Sequence, residues 1–397
     1  MQQKSLPFTR FLVCCFILNL SFCSFAKWSD PVFLSELNDT VVMQPATQPA
    51  ISSDGLSLFF MRQTSSVGGY YIFDARRQTV DDLFLDQTRI TNLAISPGSY
   101  IANPRISMDG LRLYYVEARY YSSKWQNLIC MATRSTPLSN WSFSRMLTEL
   151  HSIERDSSPS LTSNELNIMW LVSDPTVTTE TRIYTATRYS RNSIFGNIRE
   201  VAELNALQAQ DPFMTANGLS VYFVLPNDAG YFQLWKGTRD SLDKPFGNFA
   251  PLEEINQPDM NFRNPCISPD EEVLYFFRGA PWMDVSEKGI FVSDWLTNYE
   301  VAVINLQEAA ELKRQAEELI NLAIEKETAA MEALSQIKPK DLPEGVTLKD
   351  VRQARIGVLQ AIQRQIIARM NITAGLKLLE KALDQIMPPV VVVEEPR

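Results

Sequence analysis

At 397 residues, 45% of them hydrophobic, the chain has room for two or three domains with a large buried core. A formal charge of −9 and a pI near 5.0 repel phosphate backbones, which argues against nucleic acid as a general partner. The single histidine, His151, leaves no histidine metal cluster to build and makes any Ser-His-Asp triad depend on one residue.

Residues 1–26 read as an export signal. Lys4 and Arg10 give the positive start, Phe11 to Phe25 the apolar stretch, and Ser24-Phe25-Ala26 a cleavage site with small residues at −3 and −1. As a spanning helix the stretch is short and broken by Asn19 and Ser21, so the mature chain is expected to hold no integral membrane segment. Three cysteines leave with the signal. Cys130 and Cys266 remain and fall at different places in the repeat described next, which predicts two buried free thiols rather than a bridge.

From residue 27 to about 299 a motif recurs five times: QPAISSDGLSLFF, NPRISMDGLRLYY, SPSLTSNELNIMW, DPFMTANGLSVYF and NPCISPDEEVLYF. The prolines are Pro49, Pro104, Pro159, Pro212 and Pro265, at spacings of 55, 55, 53 and 53. Each motif reads as two short strands around a tight turn. Asp54-Gly55, Asp109-Gly110 and Asn217-Gly218 tolerate the positive φ that such turns demand. Asn164-Glu165 and Asp270-Glu271 replace them elsewhere and predict looser turns. A third strand follows at 70–75, 128–133, 182–187, 233–238 and 289–294, and several end near an arginine (Arg76, Arg134, Arg188, Arg239). Those arginines read as edge charges that block unwanted strand pairing.

Fourth strands match at 141–151, 195–205 and 246–256, and the segment WSDPVFLSELN (28–38) matches them too. The fifth repeat has no room for a fourth strand of its own. The N-terminal segment is therefore expected to supply it, closing a ring of five sheets. His151 stands where Asn38, Asn205 and Asn256 stand in the other repeats and reads as a cap on the turn into the next repeat.

The P-x-[IL]-S-x-D-G-L-x-L-[YF]-F core with its I-Y-x-A-T-R strand resembles the WD40-like β-propeller repeat of bacterial exported proteins. That repeat type also builds the propeller of the Tol-associated periplasmic protein. The resemblance spans about residues 28–297. It implies an all-β five-bladed β-propeller whose N-terminal strand closes the last blade, in a periplasmic or extracellular protein, with Asp-Gly in a structural role. The loss of Asp-Gly in two repeats departs from the pattern.

From about Ile304 the apolar spacing turns helical: Leu312, Ala316, Leu319, Ala323, Ala330 and Leu334 share a face up to about Ile337. KPKDLPEGV (338–346) interrupts the helix, and a second one starts with Thr347 as N-cap and Asp350 three residues on. Its apolar positions are Leu359, Ile362, Ile366, Thr373, Leu376 and Leu383. The first helix carries seven carboxylates against three cations and the second reverses the ratio, which predicts an antiparallel hairpin over 300–387. It also offers a route to an oligomer. Residues 388–397 read as a disordered tail.

No nucleophile elbow, P-loop, zinc-protease helix or EF-hand loop is present, and no cofactor, metal or catalytic residue is predicted. The candidate site is the axial funnel, with Asp156, Asp211, Arg105 and Arg263 as binding residues. The expected function is non-catalytic binding of a protein or cell-envelope polysaccharide, with the hairpin as tether or oligomerisation element. The alternative is a carbohydrate-active hydrolase of the arabinanase type, using funnel carboxylates.

Overall fold

The structure is a computed structural model and describes residues 26–39, 44–64, 69–93, 98–121, 124–151, 155–173, 181–284, 286–338, 342 and 345–386. The predicted signal before Ala26 and the predicted tail lie outside the described residues. The chain divides into two compact units, Ala26–Leu296 and the segment from Thr297 onward. The first is almost entirely β. No helix among the described residues is long and apolar enough to cross a membrane.

Each of the first four repeats forms four strands in sequence order, every one antiparallel to the one before it. The first has Thr47–Ile51, Ser57–Gln63, Tyr70–Arg76 and Asp86–Arg89, the last being a fourth strand not foreseen from the sequence. The second has Tyr100–Ile106, Arg112–Tyr121, Lys124–Thr133 and Ser142–Met146. The third has Arg155–Leu161, Asn167–Ser173, Thr181–Thr187 and Gly196–Glu200. These two repeats join into one eight-stranded sheet because Arg155 pairs in parallel with Asn127. The fourth has Gln210–Met214, Ser220–Pro226, Phe232–Thr238 and Gly247–Pro251.

The fifth contributes Asn261–Ile267, Val273–Gly279 and Gly289–Leu296. Beyond its third strand lie Lys27–Trp28 and Val32–Phe33, with Trp28 opposite Trp295 and Phe33 opposite Phe291. The first strands neighbour one another in series: repeat one touches two, two touches three, three touches four, four touches five, and five touches one. Aromatic residues fill the spaces between sheets. Phe59, Phe60, Tyr114, Tyr115, Trp170, Tyr222, Phe223 and Phe276 are all fully buried, and burying a side chain of this kind contributes about 1.5–3 kcal/mol.

All five turns between first and second strands share one geometry, contrary to the looser turns expected at Glu165 and Glu271. Both glutamates adopt the left-handed φ (61° and 64°) that Gly55, Gly110 and Gly218 adopt. Each turn is closed by the same bond, from the left-handed residue's N–H to the carbonyl of Ser52, Ser107, Thr162, Thr215 or Ser268. The hydroxyl of that same residue donates to the Asp or Asn two positions later. This latch, from a hydroxyl to an Asp carboxylate or Asn carboxamide oxygen, fixes the turn whether or not glycine follows it. The glutamate side chains supply what offsets the strained φ: Glu165 accepts from Tyr114 Oη at 2.6 Å and meets Arg112 and Arg188 of the flanking strands.

The arginines after the third strand are not edge charges. Arg77, Arg134, Arg188 and Arg239 each donate Nε to the carbonyl of the left-handed turn residue, at 2.7–2.8 Å. Their guanidinium groups lie 4.2–4.4 Å over Phe84, Trp141, Phe195 and Phe246. The repeating residue in the first sheet is thus Arg77, while Arg76 pairs with Asp74. In the fifth sheet Trp295 takes this place and packs edge-to-face on Trp28 at 5.2 Å, so an aromatic pair substitutes for a cation–π contact.

In the second unit two helices, Asn298–Gln336 and Leu348–Ile386, pack on each other. The first starts earlier than its apolar spacing suggested, because Thr297 and Glu300 form a reciprocal capping box. Thr347 and Asp350 cap the second. The half-buried positions of the first helix include Ala316, Ile320, Ala323, Ile324, Met331 and Leu334, whereas Leu312, Leu319 and Ala330 are exposed. On the second, Ile362 is half-buried and Leu359 and Ile366 are exposed. Side chains from residue 368 on, including the expected Thr373, Leu376 and Leu383, lie outside what is described.

Candidate functional site

The first strands bring the predicted site residues to the middle of the β unit. At each proline the strand is bulged, and the residue before it is left-handed: Gln48, Asn103, Ser158, Asp211 and Asn264 have φ between 48° and 56°. A residue preceding proline normally avoids helical backbone, so sheet-to-sheet bonding must hold this conformation. Asn103 N–H donates to Gln48 Oε1 at 2.7 Å, and Asn264 N–H to Asp211 Oδ2 at 3.2 Å. Ser160 Oγ accepts from Met214 N–H at 2.7 Å and donates to its carbonyl. Side chains of one repeat therefore complete the backbone of the next.

Of the four predicted residues, Asp211 and Arg263 meet directly, with Arg263 Nε donating to Asp211 Oδ2 at 2.7 Å while its guanidinium lies 4.2 Å over Phe232. Arg105 is fully buried one position past its proline. Its Nη1 donates to the Pro49 and Pro104 carbonyls at 3.1 and 2.8 Å, and its guanidinium faces Phe213 at 5.1 Å. Burial lowers its pKa, partly offset by the field of Cys266 and Asp211. Asp156 is separate. It is wholly buried, and its Oδ2 lies 3.2 Å from His151 Nδ1.

That contact corrects the role expected of His151. Asn205 and Asn256 each bind both the N–H and the C=O of one third-strand residue, Ile183 and Leu234. A carboxamide places donor and acceptor side by side, which an imidazole cannot. His151 therefore turns to Asp156 instead.

The residues following the five prolines, Ala50, Arg105, Ser160, Phe213 and Cys266, line an axial cavity of about 70 Å³. It extends towards the turns that hold Ser53, Met108 and Ser163. Both thiols are free and buried, as expected. Burial pushes Cys130 up to about 12 and raises Cys266 as well, so neither is a thiolate at neutral pH.

Sequence reasoning missed an aromatic cluster at the opposite end of the sheets, where the first strands begin. The second and third strands of repeat two are ten residues long against seven in repeat one, and carry Tyr120 and Trp125 beyond the sheet body. Trp125 contacts Tyr120 at 5.6 Å and Tyr100 at 5.4 Å, and Tyr100 contacts Tyr70 at 5.7 Å. Tyr70, Tyr120 and Trp125 are exposed. In a separate pair, the exposed Trp282 meets Tyr231 edge-on at 5.7 Å. The signal available was the run ARYYSSKWQ, with aromatics crowded into a hairpin tip.

No protein-family model matches the chain, and no curated protein matches it. Solved structures do resemble it. A putative TolB from Agrobacterium tumefaciens is 12% identical, covers 64% of this chain and 84% of its own, and gives a TM-score of 0.39. The α-L-arabinofuranosidase PaAbf62A from Podospora anserina, in complex with cellotriose, is 10% identical over 69% of this chain and 98% of its own, with a TM-score of 0.48. A GH43 endo-arabinanase from Bacillus licheniformis is 12% identical over 63% and 93%, with a TM-score of 0.43. The neighbours thus include both TolB-like proteins and glycoside hydrolases, and likenesses of this size carry no argument between the two.

Proposed function

We propose that residues 28–297 form an exported five-bladed β-propeller, closed by pairing of its first strands with its last sheet. We further propose that it works by binding a protein or cell-envelope glycan rather than by catalysis. The serial contact of the five first strands and the pairing of Trp28 with Trp295 support the closed ring. The export reading rests on the composition of residues 1–26.

The observation that carries the binding reading is that both candidate carboxylates, Asp211 and Asp156, are already engaged. A glycoside hydrolase needs two carboxyls flanking the scissile bond, one as acid and one as base or nucleophile. Asp211 is held by Arg263 and the Asn264 N–H, and Asp156 is buried against His151. Neither is presented to a substrate as a proton donor. Exposed rings at Tyr70, Tyr120, Trp125 and Trp282 instead offer stacking area where the first strands begin. The helical hairpin, with Leu312, Leu319, Leu359 and Ile366 exposed, serves as tether or oligomerisation element.

Pull-down from envelope extracts and binding to immobilised polysaccharides, with wild type and a Tyr120→Ala/Trp125→Ala variant, test this reading. Retention should fall at least tenfold in the variant with unchanged thermal unfolding. Turnover of arabinan or xylan oligosaccharides that is lost in Asp211→Asn would overturn it in favour of the hydrolase.

A further inference from the structure

Arg105 stands apart from the other buried arginines of the β unit. Arg134 faces Asp74 at 4.0 Å and Arg188 faces Glu165 at 3.5 Å, whereas no carboxylate among the described residues lies within ion-pair distance of Arg105. Its hydrogen bonds go to two backbone carbonyls through one nitrogen, and its buried Nε has no partner. The carboxylate whose charge acts on it, Asp211, is already committed to Arg263 at 2.7 Å. Asp211 therefore gives Arg105 no direct ion pair. Cys266, the other group whose field reaches Arg105, keeps its proton because burial raises its pKa.

A buried cation without a counter-charge is costly, since desolvation is repaid only by an opposite charge or dense hydrogen bonding. The repeat itself does not require arginine here: the equivalent positions hold Ala50, Ser160, Phe213 and Cys266. The cavity these residues line, at about 70 Å³, exceeds the roughly 10–15 Å³ that one water needs.

We propose that the axial cavity is a binding site for one small monovalent anion of halide size, held by the Arg105 guanidinium. Ala50, Phe213 and Cys266 give small and apolar walls that fit a weakly hydrated single charge, and the one carboxylate among the lining residues, Glu165, is already engaged by Tyr114, Arg112 and Arg188. With no second cation lining the cavity among the described residues, a phosphate or sulfate dianion would remain undercompensated. The bound anion would brace the five first strands around the axis. This inference does not depend on the partner-binding reading.

The test is thermal unfolding of the full chain at constant ionic strength in sodium gluconate, chloride, bromide, acetate and sulfate. Chloride and bromide at about tenfold excess over Kd should raise the midpoint by about 3–6 °C relative to gluconate. Arg105→Met should abolish that rise. Because this variant could fail to fold, wild-type crystals grown in bromide provide an independent reading, with an anomalous peak expected beside the Arg105 guanidinium. The proposal fails if gluconate stabilises as well as chloride, if Arg105→Met keeps the response, or if bromide occupies only other positions. Stabilisation by acetate and not by bromide would overturn the halide assignment in favour of a carboxylate side chain from a partner.

Discussion

Glu165 and Glu271 occupy the same left-handed turn position, and replacing each by glycine should give opposite results. In both cases glycine relieves a strained φ, worth about 1 kcal/mol. At Glu165 the lost side chain is 1% exposed and faces Arg188, whose side chain is 0% exposed. Glu165→Gly leaves that guanidinium buried without its counter-charge, bonded only to the Tyr114 hydroxyl and the residue 165 carbonyl, and leaves the Tyr114 hydroxyl without its acceptor. Breaking a buried pair from one side costs about 3–5 kcal/mol, so the variant should lose about 2–4 kcal/mol net. At Glu271 the partners are Lys236 and the exposed Asn217 carboxamide, each at 3.3 Å, and the ion-paired Glu271 and Lys236 side chains are 23% and 34% exposed. Such a pair contributes about 0.2–1 kcal/mol, and Glu271→Gly should be neutral or slightly stabilising. Urea unfolding followed by tryptophan fluorescence reads both, with Glu165→Gln as a control that keeps the shape and removes the charge. Equal midpoint shifts in the two glycine variants, or a Glu165→Gly protein as stable as wild type, would refute the assignment of Glu165 as the buried counter-ion.

Three further outcomes follow from the same geometry. Arg239→Met removes the bond to the Gly218 carbonyl and the contact with Phe246 and should cost about 1–2 kcal/mol in urea unfolding, whereas Arg145→Met, which loses only a part-exposed ion pair with Glu149, should cost under about 0.5 kcal/mol. Because burial raises both thiol pKa values, to about 12 at Cys130, the native chain should resist iodoacetamide at pH 8, and mass spectrometry should find the Cys130 and Cys266 peptides alkylated only after unfolding. Deleting residues 297–397 should leave the unfolding midpoint of the β unit within about 2 °C of the full chain and lower the mass in sedimentation if the hairpin joins copies; a collapse of the midpoint would show that the two units are not independent.

What the sequence made legible was whatever repeats through backbone chemistry. Proline, the Ser/Thr-x-Asp/Asn latch and alternating aromatics mark each sheet because they act locally, within four or five residues of chain. What it hid depends on side chains that reach across. An arginine at the end of a strand looks like solvated charge, since its long stem allows either a buried or an exposed head. A signal was nonetheless present: Arg77, Arg134, Arg188 and Arg239 each precede an aromatic by seven residues, at Phe84, Trp141, Phe195 and Phe246. The left-handed residues before proline were hidden for a different reason. Local sterics argue for extended backbone there, and only bonds from a neighbouring sheet, such as Gln48 to Asn103, override them. In the helices, complementary charge pointed to a hairpin. It could not say which of two overlapping apolar stripes faces inward, and Leu312 and Leu319 proved to lie on the exposed one.

Comparing the five repeats position by position separates scaffold from specialisation without any second protein. The turn latch is Ser or Thr followed by Asp or Asn in all five, and four of five keep the arginine staple, with Trp295 replacing it where the N-terminal segment supplies Trp28. Those positions are constrained because each holds its own sheet together. The position after proline obeys no such rule: alanine, arginine, serine, phenylalanine and cysteine occupy equivalent backbone around one cavity. The same holds for the hairpin between second and third strands, whose strands run to ten residues and carry Tyr120 and Trp125 in repeat two. A residue that the sheet does not need is free to serve the axis or the rim, and a fully buried arginine among small and apolar neighbours is the costliest such choice. Something must compensate that cost at the axis, and an anion beside Arg105 does so with the charge and size the cavity allows.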